Sequence, residues 1–317
     1  MKKNILKKLG ITLIISVFGI VALTGCGKSE DTTNTDEKQI VSSTEQPTEQ
    51  QINKTETKEE ANKSVNKKPF TTLEEFSKND LGLTEGYWVW SDGTNTYYSE
   101  VDKQYVFKNG AWEPKIWKGL TKFNGVDIWT DGINIYYSYG DWIENQKTGE
   151  EEYVTSHYIL DGDTWKETTW KGLNEFDGSY AWNDNENTYL QARYMLDKNK
   201  WIETKKWEDT ISSFNAFDVW KYGTHIYYSA GENSHYELID DKWVKKSWNG
   251  KNDFSGKDIW TDGSNVYISD NEKQYILNGN NWEPKQWEGL NELYAPAIWT
   301  DGENYYYITK DIIYKFK

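Results

Sequence analysis

Arginine and cysteine are each present once in 317 residues, as Arg193 and Cys26, and histidine three times. A single cysteine excludes disulfides and thiolate zinc clusters, and a single arginine excludes sites that grip a carboxylate with several guanidinium forks. Basic charge is also short. There are 36 Lys+Arg against 51 Asp+Glu, a net charge of −15, so a phosphate backbone would be repelled and nucleic acid is excluded as a partner. Aromatic residues, by contrast, are abundant. Eighteen Trp and 23 Tyr supply the burial that an acidic disordered chain lacks, so most of the chain is predicted to fold.

The one long apolar run, Leu9–Leu23, follows Lys2, Lys3, Lys7 and Lys8, an arrangement of charged and apolar regions that predicts an export signal. It is shorter than the ~20 residues a membrane span needs. The run ends in Leu23-Thr24-Gly25-Cys26, which resembles the lipobox of bacterial lipoproteins. The resemblance implies cleavage before Cys26 and acylation of its thiol, and two acyl chains would hold the protein at the outer face of the cell membrane. Residues 27–66 are then Thr, Glu, Lys, Gln, Ser and Asn with almost no aliphatic residue, a composition that predicts a solvated stalk. We therefore expect a signal peptide at 1–25, a lipidated Cys26 and stalk at 26–66, and one folded domain at 67–317. The stalk's net −4 cancels the signal's four lysines, so the domain itself carries −15.

That domain is a repeat. The Trp of motifs such as Asp127-Ile128-Trp129-Thr130-Asp131-Gly132 recurs at 90, 129, 182, 220, 260 and 299, with gaps of 39, 53, 38, 40 and 39 residues. After each comes a Tyr-led pair (97/98, 136/137, 189/190, 227/228, 267/268, 306/307), then a second Tyr (105, 158, 194, 236, 275, 314). Five copies finish on two tryptophans (112/117, 165/170, 201/207, 243/248, 282/287). These four runs, A to D, are short, aromatic or β-branched and separated by Asp-Gly, Asn-Gly or Asp-Lys turns, the pattern of consecutive antiparallel strands. Four strands in about 40 residues, unable to bury either face alone, predict a propeller blade. The fold class is all-β, a six-bladed β-propeller. The sixth copy stops after run C at Lys317, and Lys68–Phe76 aligns with Lys285–Leu293, so an N-terminal strand is expected to complete the last blade with Phe70 in the place of the second run-D Trp. The A-to-D order with Tyr in B and C and Trp in D resembles the kelch repeat over residues 67–317, although the double glycine of that repeat is absent and the period is shorter than its ~50 residues. The resemblance implies a fold and little chemistry.

In propellers the D-to-A and B-to-C connections gather at one mouth of the central channel. Two residues before each run-A Trp stand Trp88, Asp127, Tyr180, Asp218, Asp258 and Ala297. Asp127, Asp218 and Asp258 could hold a divalent cation, the one cofactor this ring suggests, or a sugar with help from Trp88 and Tyr180; equally, each Asp could accept hydrogen bonds from its own turn. The second copy is longer between B and C, where Trp142 sits among Asp141, Glu144, Glu150, Glu151 and Glu152, a contact element or a solvated decoration. Ser77–Gly86 is expected to cover part of the mouth. The Asp-Gly pairs at 92, 131, 262 and 301 read as hairpin turns rather than calcium loops.

Copper chemistry of the kelch-like oxidases would need a crosslinked Cys, whereas Cys26 is the expected anchor, and a histidine set that His157, His225 and His235 do not match; no nucleophile triad or HExxH motif is present. Two functions remain. One is a noncatalytic binding or scaffold module for an extracytoplasmic protein or glycan, acting as a monomer. The other is a carbohydrate-active enzyme using Asp127, Asp218 or Asp258, whose separations would decide its mechanism.

Overall fold

Each repeat folds into one antiparallel sheet, and six sheets make the ring. A computed structural model describes residues 68–83, 86–145, 147–184, 186–204, 207, 210–211 and 213–317. The expected signal, Cys26 and stalk lie outside the described residues. The N-terminal strand β1 is Leu73–Lys78. Blade 1 is β2 (Val89–Ser91), β3 (Thr96–Glu100), β4 (Lys103–Lys108) and β5 (Ala111–Pro114). Blade 2 is β6 (Ile128–Thr130), β7 (Ile135–Glu144), β8 (Glu151–Asp161) and β9 (Thr164–Thr168), and blade 3 is β10 (Ala181–Asn183), β11 (Thr188–Leu190), β12 (Tyr194–Asp197) and β13 (Lys200–Glu203). Blade 4 is β14 (Val219–Tyr222), β15 (His225–Ser229), β16 (His235–Ile239) and β17 (Lys242–Lys245). Blade 5 is β18 (Ile259–Thr261), β19 (Val266–Asn271), β20 (Gln274–Asn278) and β21 (Asn281–Pro284), with the short β22 (Leu293–Tyr294) paired to β19. Blade 6 is β23 (Ile298–Thr300), β24 (Tyr305–Ile308) and β25 (Ile312–Phe316), completed by β1 in the order β1-β25-β24-β23. Among the described residues no helix is long and apolar enough to cross a membrane.

One local unit explains why the repeat folds this way. In blade 2, Asp131 Oδ1 accepts from the N–H groups of Ile133 and Asn134 at 2.9 and 2.6 Å, and its Oδ2 accepts the hydroxyl hydrogen of Tyr136 at 2.9 Å. The turn is thereby locked to the strand that leaves it, as an Asx turn with Gly132 at φ 90°. The Tyr136 ring stacks on Trp129 at 4.5 Å, and Trp129 Nε1 donates to Ser138 Oγ at 2.9 Å. The Asp-to-Tyr bond repeats as Tyr97 to Asp92, Tyr189 to Asp184, Tyr267 to Asp262 and Tyr306 to Asp301, so these carboxylates serve the hairpins. Blade 4 lacks it because Tyr222 stands in the Asp position.

Blades join through indoles. Trp129 of blade 2 lies 5.8 Å from Trp201 of blade 3, and Trp220 of blade 4 lies 6.4 Å from Trp282 of blade 5. Each such pair adds roughly 0.5–1.5 kcal/mol beyond its area burial.

The ring closes through β1, but in a different register from the one the sequence suggested. Leu73 pairs with Phe316 and Glu75 with Tyr314, whereas in blade 5 Trp282 pairs with Leu277 and Pro284 with Tyr275. Leu73, 3% exposed, therefore occupies the place of the first run-D Trp. The glycine of the preceding blade agrees: a Cβ on Gly289 would meet Leu73 O at 2.3 Å, as one on Gly250 would meet Trp282 O at 2.1 Å. Phe70 does not replace the second Trp; it precedes the strand and packs on Tyr305 and Phe316 at 5.8 and 5.7 Å. Aligning aromatic to aromatic shifted the register, because a leucine fills the indole's site. Ser77 and Lys78 belong to β1, and the chain after them is tied down by Asn79, which donates to Thr309 O at 2.7 Å in the β24–β25 turn.

Candidate functional site

The mouth is built by the segments entering the A strands β2, β6, β10, β14, β18 and β23. Five of them wind into a single 3-10 turn, at Gly86–Trp88, Gly178–Tyr180, Ala216–Asp218, Gly256–Asp258 and Ala295–Ala297. Four residues before each run-A Trp the chain places Gly86, Gly125, Gly178, Ala216, Gly256 and Ala295. A small residue is needed there because the preceding blade presses on it: a Cβ on Gly178 would stand 2.4 Å from Asp127 O, and one on Gly256 would stand 2.2 Å from Asp218 O. This contact brings the six expected ring positions side by side around the axis.

Five residues before four of these Trp come capping side chains. Asn124 Oδ1 accepts from Asp127 N at 3.1 Å, Asp177 Oδ1 from Ser179 N at 2.8 Å, Asn215 Oδ1 from Phe217 N at 3.2 Å, and Ser255 Oγ from Lys257 N at 3.4 Å. Asn, Asp and Ser are the residues whose short polar side chains reach such N–H groups. This pattern was present in the sequence and identifies Asp177 and Ser255, which the two-residue offset had passed over.

The three ring carboxylates have distinct surroundings. Asp218 accepts the Ser255 hydroxyl hydrogen from the next blade, and Asp258 Oδ2 accepts Ser255 N–H at 3.2 Å. Burial raises both carboxyls above the usual range, offset by their hydrogen bonds and by Lys257 nearby. Asp127, 5% exposed, accepts from Asn124 Nδ2 at 2.8 Å and faces the Asp177 carboxyl of blade 3. Desolvation, then the charge of Asp177, place the Asp127 carboxyl well above its ordinary range. Ala297 is buried, while Trp88 and Tyr180 are half-buried, and the Tyr180 ring lies 5.1 Å from Phe217 of blade 4.

Over the Asp127–Asp177 pair rises the β7–β8 hairpin, which extends blade 2 by pairs as far out as Glu144 with Glu151. Its base is tied to the mouth. Thr155 Oγ1 donates to Asn174 O at 2.8 Å, and His157 bridges Ser138 Oγ at 2.9 Å and Asn174 O at 2.8 Å. Gln104 Nε2 to Phe123 O at 2.9 Å, His235 Nε2 to Asn252 O at 2.7 Å and Gln274 Nε2 to Leu293 O at 3.1 Å make the same tie in blades 1, 4 and 5. Burial lowers the pKa of both His157 and His235, so they act as neutral braces. Tyr153 folds across the backbone at Gly140, where a Cβ would stand 2.0 Å from its hydroxyl, and comes within electrostatic range of Asp177, Tyr180, Asp127 and Asp141. On the opposite hairpin face, burial and Asp141 push the Tyr139 phenol up to about 12. Trp142 pairs with Tyr153 across the strands, with ring centroids 5.2 Å apart, and remains 63% exposed. Among the described residues, no three His, Cys, Asp or Glu come together as a metal-binding group.

The chain matches no family model and no curated protein. Among solved structures it is similar to the extracellular domains of two hybrid two-component systems of B. thetaiotaomicron. The first has 13% identity and a TM-score of 0.42, over 78% of this chain and 42% of that one. The second has 12% identity and a TM-score of 0.41, over 71% and 31%. The WD40 β-propeller domain of Doa1 gives 8% identity and a TM-score of 0.39, over 78% of this chain and 97% of that one. This chain thus spans less than half of the first two. Scores this low carry no function from any of them.

Proposed function

We propose that this protein is a lipid-anchored, exported binding module whose propeller mouth and β7–β8 hairpin capture an extracytoplasmic protein or glycan without chemistry. The observation that carries the reading is Trp142, an indole left 63% exposed on a ribbon braced to the mouth by Thr155 and His157. Large aromatic anchors on rigid supports dominate binding energies. The Asp218 and Asp258 carboxyls already accept bonds from Ser255, which suits a structural role better than turnover. Cys26 supplies the membrane attachment through its acyl chains, and the domain acts as a monomer.

One observation favours the catalytic alternative. Asp127 is buried beside Asp177, and burial raises its carboxyl well above the usual range, as a general acid requires. A glycan array and an envelope-protein pull-down, each followed by product analysis, separate the two readings. The binding module predicts hits that Trp142→Ala weakens by tenfold or more, with no product formed. A product that disappears in Asp127→Asn would establish the enzyme instead. Fractionation tests the anchor: Cys26→Ala should move the protein out of the membrane pellet, and retention there would refute lipidation.

A further inference from the structure

The blade 2–3 side of the mouth differs from the blade 4–5 side in one respect that the ring's repetition makes plain. At the blade 4–5 joint, Asp218 faces both Ser255 and Lys257, so its charge has a donor and a cation. At the blade 2–3 joint the equivalent places hold Asp127, Asp177 and Ser179. Where blade 5 has a hydroxyl, blade 3 has a second carboxylate; where blade 5 has a lysine, blade 3 has a serine. The groups acting on Asp127 are Asp177, which repels it, and Asn124, which donates to it.

Ser179 marks where the missing cation would go. It is 2% exposed, and its hydroxyl has no hydrogen-bond partner, a costly state for a buried polar group. The residues at the same place in the other blades act across the joint. Phe217 occupies the same place in blade 4 and packs its ring on Tyr180 of blade 3 at 5.1 Å, and Lys257 occupies it in blade 5 and acts on Asp218 of blade 4. Ser179 follows Gly178, on which a Cβ would stand 2.4 Å from Asp127 O, so this place in blade 3 adjoins Asp127. Asp177, Tyr153 and Tyr180 are half-exposed beside these two buried groups. Both tyrosines lie within electrostatic range of Asp127 and Asp177.

We propose that this joint is a receptor for an alkylammonium group carried by the ligand, with Asp127, Asp177 and Ser179 accepting its N–H hydrogens and Tyr153 and Tyr180 taking its carbon-bound side. An ammonium has three donors and one positive charge, matching two acidic side chains and a hydroxyl that are all able to accept. Tyrosine faces attract the same ion. Two carboxylates without a third are a poor set for calcium, which takes six to eight oxygens. The inference rests on the binding reading, and the same chemistry could come from a lysine side chain of a protein or from an amino sugar.

Calorimetry on the full-length protein in detergent tests it with N-acetyl-lysine methylamide, its norleucine counterpart, glucosamine, N-acetylglucosamine and calcium chloride. The expected result is that lysine methylamide or glucosamine binds and that its uncharged counterpart binds at least tenfold more weakly. Lysine methylamide would identify a protein source and glucosamine a glycan. Asp177→Asn, which retains a good cap, should weaken the amine at least tenfold, and Tyr153→Leu about three- to tenfold. The paired probes need no variant, so a misfolded mutant leaves the test intact. Equal binding of charged and uncharged probes, no binding of either amine, or calcium binding that Asp177→Asn abolishes would each overturn the proposal. Partners captured through Trp142 but indifferent to Asp177→Asn would sink the ammonium site and leave the binding module standing. Amine binding without any captured partner would do the reverse.

Discussion

Ser255 of blade 5 donates its hydroxyl hydrogen to Asp218 Oδ1 of blade 4 while its own N–H donates to Asp258 Oδ2 at 3.2 Å. One side chain thus joins two blades, caps a 3-10 turn and stabilises a buried carboxylate. Ser255→Ala should cost about 1–3 kcal/mol, since it leaves Asp218 buried without that donor. For a domain of this size that corresponds to a melting point about 2–10 °C lower. A calorimetric midpoint unchanged within a degree would show the bond to be incidental.

The closure register makes a sharper prediction than closure alone. Leu73→Ala should destabilise by about 2–5 kcal/mol, because Leu73 is 3% exposed beneath the Gly289 turn. Phe70, half-buried outside β1, should lose less on truncation to Ala despite its larger ring. Parallel urea titrations decide between them, and the opposite ranking would return Phe70 to the repeat position that aromatic alignment assigned to it.

How much of this was legible follows from such residues. Six blades and their closure were readable because Trp and Tyr recur at fixed offsets and the last copy lacks a strand. The closing register was not, because Leu73 substitutes volume for aromaticity and no periodicity marks that exchange. Asp127, Asp218 and Asp258 could be placed at the mouth from their offset alone. Asp177 could also have been found, as one of the Asn, Asp and Ser residues five positions before four of the six Trp. Tyr153 could not: its place near Asp177 depends on the hairpin register that sets it across from Trp142 and over Gly140.

Blade 6 breaks the indole pattern, and the break sets two effects against each other. Trp90, Trp129, Trp220 and Trp260 each donate Nε1–H to a serine nine residues on, at 2.9–3.0 Å, whereas Trp299 finds Ile308 there and its buried N–H has no partner. Ile308→Ser would supply the missing acceptor, worth about 0.5–1.5 kcal/mol. It would also remove a side chain that is 2% exposed, a loss of about 2–5 kcal/mol by analogy with truncation to Ala. The substitution is therefore expected to destabilise, and a more stable variant in denaturant titration would mean that the orphan N–H costs more than packing returns.

The buried histidines give a pH dependence with a definite sign. Burial lowers the pKa of His157 and His235 below the ordinary 6.5, so the folded state binds these protons less readily than the unfolded one. Their share of stability is intact above 6.5 and is lost as pH falls from there toward the folded pKa values. Glutamine already makes the same loop tie at positions 104 and 274, so His157→Gln should fold normally at pH 8. The variant should then lose less stability than wild type between pH 7 and pH 5. Parallel denaturant curves at those pH values check this, and identical slopes would show that His157 carries no pH-linked term.

Asp127 runs in the opposite direction. Its folded pKa is raised by burial and by Asp177, so its protonated form favours folding; that contribution is complete below the ordinary 3.8 and disappears as pH rises through the folded value. At pH 8 the wild-type chain therefore either buries a second charge beside Asp177 or takes up a proton from dilute solution, and both cost stability. Asp127→Asn removes the cost while keeping an oxygen for Asn124 Nδ2 and gaining an N–H to donate toward Asp177. It should be more stable than wild type at pH 8, with the advantage shrinking as the pH is lowered toward 4. If the same variant also binds ligand at least tenfold more weakly, a residue that strains the fold is sustaining the site, as expected where stability and function compete. A variant less stable than wild type at every pH would instead make Asp127 a structural brace and move the search for the ligand to the outer end of the hairpin.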